Sequence, residues 1–155
     1  MKQFSWLLLA KYVGSIAVGY AIADMYPGVA SPERFLDTRR QVAMLLVLPF
    51  LETLVLQLGV IEVIRWMSGK YRNTAGLWAG ALASALLFFF LHYRLNGAFN
   101  GIAYGAVGGL VYASMYALKR PDGMKAAFAY TWMLHLASNA LLAASYAYFA
   151  KVILG

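Results

Sequence analysis

The chain has 155 residues, 63% of them hydrophobic and only 12% charged. A soluble domain carries about 25% charged residues, so the composition excludes an ordinary soluble domain and points to an integral membrane protein of one domain. The net charge is +7, yet the basic residues sit in short connectors beside apolar runs, as membrane anchors do, so nucleic acid is not an expected partner. There is no cysteine, which excludes disulfides, thiolate catalysis and zinc–thiolate sites.

Trp6 to Ala23 is a first apolar segment, close to the roughly 20 residues that a spanning helix needs. Its Ala21-Ile22-Ala23 before Asp24 resembles a signal-peptide cleavage site. Lys11 interrupts the run, so the segment is expected to stay as a span. Ser15, Gly19 and Ala23 would form its small packing face. Lys11 is expected either to snorkel or to face the bundle.

Asp24 to Gln41 is the longest polar stretch. Pro27-Gly28 ends the first helix, and Ser31-Pro32-Glu33 reads as an N-cap, a proline at the first helical position and an early acid. That pattern predicts a short surface helix over residues 32–40. Val42 to Met67 is the second span. Pro49 removes a backbone donor inside it and predicts a kink three residues before Glu52. Glu62 and Arg65, three apart near the far end, are expected to pair without chemistry.

Ser68 to Asn73 is a basic connector, with Asn73 or Thr74 as cap. Ala75 to Tyr93 is the third span, in which Gly76, Gly80 and Ser84 recur every four residues and allow close helix contact. Asn96-Gly97 is a turn signal. A fourth span from Ala98 to Leu118 follows, with Gly101, Gly105 and Gly109 as a second small stripe. Lys119 to Gly123 is a tight turn, so a fifth span from Lys125 to Val152 would lie antiparallel to the fourth. The fold expected is an all-α polytopic transmembrane bundle of about five spans, one domain over residues 1–155.

Against this apolar background a few polar side chains stand out. Phe88 and His92 are four apart on one segment, and His135 and Asn139 are four apart on another, with Thr131 one turn earlier. Each set shares a helix face. Glu52 lies in a third segment, and no Lys or Arg is within a turn of it. Burying such groups is costly, and in membranes they mark function by default, although polar glue between helices is the plain alternative for His135. For His92, near a helix end beside Tyr93 and Arg94, the plain alternative is a wet interfacial histidine. A carboxylate in hydrocarbon needs a partner, and the histidines are the expected ones. Glu52, His92, His135 and Asn139 should therefore converge in one polar cavity. Ser138 adjoins His135 but does not share its face, so no serine triad is expected.

A Glu on one span, Phe-x-x-x-His on a later one and His-x-x-x-Asn on a third resemble the CPBP (Abi) family, which includes the type II CAAX prenyl endopeptidases and bacteriocin-processing membrane proteins. The resemblance covers residues 42–152. Phe88 and His92 match the family's second motif, and His135 and Asn139 the third. The first motif, usually Glu-Glu-x-x-x-Arg, departs: Glu52 stands at the first Glu, but Thr53 and Gln57 replace the second Glu and the Arg. A joint replacement of two residues four apart suggests a swapped support, and Thr53 and Gln57 are expected to hydrogen-bond to each other or to a neighbouring helix.

The resemblance implies a glutamic-type intramembrane protease. Its substrate would be a peptide or protein with a membrane-associated segment, and its setting a multi-pass protein of a bacterial or archaeal cell membrane. As the only acid well inside the bundle, Glu52 is the candidate general base. His92 would share its water, and His135 and Asn139 would donate to the oxyanion. No cofactor is expected; zinc held by Glu52, His92 and His135 is the alternative, since one Glu and two His leave an open position. A non-catalytic protein of the same fold (scaffold, chaperone-like or immunity factor) is the competing class. A transporter is less favoured for want of an inverted repeat. Seven basic residues against five across the two sides favour a cytoplasmic amino terminus. The site would then open away from the cytoplasm, opposite to the side expected for prenyl endopeptidases.

Overall fold

Long apolar segments satisfy their backbone groups internally as helices when no water is available. The computed structural model is accordingly all-helical over the residues it describes, namely 2–22, 25, 43–69 and 74–154. Helix α1 is Lys2–Ile22, and α2 runs over 43–67. Helix α3 is the 49-residue run Thr74–Asp122, and α4 is Met124–Leu154.

Among the described residues, three helical runs are long and apolar enough to cross a membrane: Lys2–Ile22, Leu45–Met67 and Thr74–Asp122. They suggest a multi-pass membrane protein. The expectation of five spans is corrected to these three. The expected third and fourth segments fall within the one run Thr74–Asp122, and the expected fifth, on α4, is not among the three.

At 1.5 Å per residue the 49 residues of α3 would measure roughly 73 Å, more than twice a bilayer core. The run folds back at Gly97, the one position inside its first stretch with non-helical angles, φ 86° and ψ 167°. A side chain there would be strained. The two limbs then pack antiparallel in a register set by the glycine stripe. A Cβ on Gly101 would meet Tyr93, one on Gly105 would meet His92 and Phe89, and one on Gly109 would stand 2.6 Å from the Ala85 carbonyl oxygen. The turn signal and the stripe thus act together, one reversing the chain and the other letting the limbs touch. A second reversal at Arg120–Asp122 and Gly123 (φ 110°) leads into α4.

Helix α2 packs on the outbound limb of α3 in the same manner. Gly80 lies against Ile61 and Gly76 against Arg65 and Ser68, so the expected Gly76–Gly80–Ser84 stripe is the contact face. Around Pro49 the helix does not keep α spacing. Residues Ala43–Val47 and Thr53–Val60 are π-helical, with α-helical Leu48–Glu52 between them. The expected disturbance at Pro49 takes this form: a widened turn that begins immediately after Glu52. Widened turns of this kind are frequent at functional sites.

Helix α1 buries only Lys11, Ser15 and Gly19 and packs on the return limb of α3 and on α4. One apolar cluster gathers Ile61, Leu77, Ala81, Ala85, Ala113, Tyr116, Ala117 and Ala127. A second gathers Leu56, Phe88, Val111, Tyr112, Met115 and Leu134, and this one underlies the polar centre. Ala23, the turn at Pro27-Gly28, the capped helix over 32–40, Val42 and the connector residues 70–73 lie outside the described residues.

Candidate active site

Glu52 ends the α-helical turn that Pro49 starts on α2. His92 is held on the outbound limb of α3 by a contact of its Nδ1 with the Phe88 carbonyl oxygen, 3.0 Å, one turn earlier. That orients its Nε2 toward Glu52 Oε1, 4.0 Å away. From α4, His135 brings Nε2 to 3.3 Å from Glu52 Oε2. Each histidine therefore addresses a different carboxylate oxygen. Three sequence-predicted residues from three separate helical segments meet at one point. Asn139 lies one turn beyond His135 on the same helix, half-buried.

Aromatic rings wall this centre. Phe88 stacks on His92, with centroids 4.3 Å apart and planes 19° from parallel. Tyr112, fully buried on the return limb, stacks on His135 at 4.0 Å and 27°. The Tyr112 hydroxyl hydrogen-bonds to Ser138 Oγ, and Ser138 donates to the His135 carbonyl oxygen at 3.0 Å. Ser138 is thus committed to holding Tyr112 and the helix. The motif residue Phe88 packs on both histidines, its ring lying 5.6 Å from that of His135.

Burial is graded across the centre. The His135 side chain is 4% exposed, His92 20% and Glu52 26%. The carboxylate is therefore the open face of the site and His135 its floor.

Lys11 faces the bundle, the second of its two expected placements. It is 2% exposed, donates to Ser15 Oγ at 2.6 Å and lies 5.4 Å from the centre of the Tyr104 ring. Its Cε and the edges of the Phe88 and Tyr112 rings all border the space over Gly108. A cation thus sits behind the rings that wall the histidines. Sequence reasoning placed neither this contact nor Tyr112. The usable signal for Tyr112 was a phenol in mid-helix, whose hydroxyl needs a partner when buried.

The expected support by Thr53 and Gln57 is not seen. Both are fully buried, but Thr53 Oγ1 and both amide atoms of Gln57 have no hydrogen-bond partner. They do not bond to each other, and Ser84 Oγ on α3 is likewise unpaired. Among the described residues no group of three or more His, Asp or Glu is arranged to hold a metal ion.

No protein-family model, curated protein or solved structure matches the chain. The resemblance to the CPBP family therefore rests on the motif residues themselves.

Glu62 and Arg65 pair as expected, at 3.0 Å. Arg120 adds two contacts to the same carboxylate, at 2.5 and 3.1 Å, and the Tyr116 hydroxyl donates at 2.9 Å. This clamp ties α2 to the turn between α3 and α4.

Proposed function

We propose that the chain is an intramembrane endopeptidase of the CPBP type, hydrolysing a peptide bond in a membrane-associated substrate. The observation that carries the reading is Glu52 flanked by two histidines and, among the described residues, paired with no Lys or Arg. A water on the open face would give a proton to Glu52 as its oxygen attacks the carbonyl carbon. The carbonyl π electrons then move to oxygen, where His135 and Asn139 donate hydrogen bonds. Collapse of the tetrahedral intermediate breaks the carbon–nitrogen bond, and the proton held by Glu52 passes to the leaving amine. His92 orients the water and the carboxylate.

Each oxyanion donor is typically worth about 3 kcal/mol of barrier and a general base about 10²–10⁴ in rate. The same residues fit a metal-free centre as the family resemblance implies. Glu52, His92 and His135 are not arranged as a metal-holding group, so no step is assigned to zinc.

The test is direct. Purified protein in nanodiscs is incubated with a library of lipid-anchored peptides in H₂¹⁸O, and products are read by mass spectrometry. The reading expects new carboxyl termini carrying ¹⁸O from wild type and none from Glu52→Gln. Equal product from both proteins, or none from wild type on any peptide, would leave the non-catalytic scaffold as the better description.

A further inference from the structure

Four polar side chains around the candidate site are each fully buried: Thr53, Gln57, Ser84 and Thr131. None has a hydrogen-bond partner within the protein at Thr53 Oγ1, Gln57 Oε1, Gln57 Nε2, Ser84 Oγ or Thr131 Oγ1. The inner ring nitrogen of His135, Nδ1, is unpaired as well. Buried polar groups in native proteins are nearly always satisfied, and those not met by the chain are met by ordered water.

Helix register sets two of these groups face to face and a third on the helix packed beside them. With Ile61 against Gly80 and Arg65 against Gly76, one further turn of the antiparallel pair sets Gln57 opposite Ser84. The next sets Thr53 opposite Phe88, the residue stacked on His92. Thr131 lies one turn before His135 on α4, and α4 packs directly on the 53–60 segment. The π-helical spacing of that segment widens the helix at Thr53 and Gln57. Donors and acceptors are both represented, and a water typically takes about three partners.

We propose that Thr53, Gln57, Ser84, Thr131 and His135 Nδ1 form a buried hydration site on the inner side of Glu52 that holds ordered water. Its ligand is a small neutral molecule able to donate and accept. If Glu52 activates water as proposed above, this site is the reserve from which a centre set in hydrocarbon is supplied. The hydration site itself stands on burial and register, and only that consequence rests on the protease reading. It also gives the departure at Thr53 and Gln57 a role. Neutral groups bind water without the desolvation cost that an unpaired ion would bring.

Radiolytic hydroxyl labelling tests this without any substrate, because water bound inside a protein generates the radical in place. Met115 is fully buried in the cluster with Phe88, Leu56 and Leu134, the last two being chain neighbours of Gln57 and His135. In full-length wild type and Glu52→Gln protein in nanodiscs, Met115 should be oxidised despite its burial. The combined variant Gln57→Leu, Ser84→Ala and Thr131→Val should lose that oxidation while exposed Met67 keeps its own. No oxidation of Met115 in wild type, or oxidation undiminished in the variant, would overturn the proposal.

Melting temperature guards against a misfolded variant. Thr53→Val and Ser84→Ala should each lower it, since each removes a partner of bound water. If both raise it, the groups are dry and the proposal fails. Peptidase activity is not read in either experiment, so failure here leaves the test of Glu52 untouched.

Discussion

Glu52 and Glu62 stand ten residues apart on α2 and are buried to nearly the same degree, 26% and 20% exposed. Their partners differ. Glu62 receives Arg65, both guanidinium contacts of Arg120 and the Tyr116 hydroxyl. Glu52 receives two imidazoles at 3.3 and 4.0 Å, neither of which carries a permanent charge. A carboxylate saturated by guanidinium groups is fixed as an anion and has no capacity left for chemistry. One flanked by histidines can exchange a proton. Similar exposure with unequal pairing separates the clamp from the candidate centre.

The comparison can be broken at either end. The largest effect is expected at the centre. His135→Ala and Asn139→Ala should each slow turnover by on the order of 10²-fold, and the double variant by less than the product, as residues acting as a unit do. Steady-state rates on a lipid-anchored reporter peptide would measure this; full multiplicativity would mean that the two act independently. Next is Gly109→Ala. Its Cβ would stand 2.6 Å from a backbone oxygen of the outbound limb and 3.2 Å from Phe88 Cβ, so the limbs must part. A loss of about 1–3 kcal/mol is expected, read as a lower denaturation midpoint, with turnover reduced through Phe88 and His92. The smallest effect belongs to the clamp. Arg120→Met should cost roughly 1–2 kcal/mol, less than a fully buried charged hydrogen bond because the pair is partly exposed. Turnover per folded molecule should not change.

The sequence carried much of this because polar residues in apolar helices have few roles. Glu52, His92 and His135 were legible from spacing and cost alone, and the glycine stripes foretold which faces touch. The number of spans was not. Asn96-Gly97 marks the reversal inside the 49-residue run, whose two limbs count once, and α4 is not among the three runs. Partners far apart in sequence were also hidden. Arg120 on Glu62, Tyr112 on His135 and Lys11 behind the rings depend on packing register that no local pattern encodes. Thr53 and Gln57 misled for a related reason. Four-residue spacing gives a shared face on an α-helix, but Thr53–Val60 is π-helical, and the two side chains stay unpaired.

The most direct test sets the two carboxylates against each other. Glu52→Gln and Glu62→Gln proteins are prepared in the same nanodiscs. Each is then measured for the midpoint of thermal unfolding and for turnover of the same lipid-anchored peptide per folded molecule. Glu52→Gln should unfold at or above the wild-type midpoint and have no turnover, whereas Glu62→Gln should unfold earlier and retain turnover. The reverse pattern, with Glu62→Gln inactive and Glu52→Gln fully active, would contradict the assignment of Glu52 as the base.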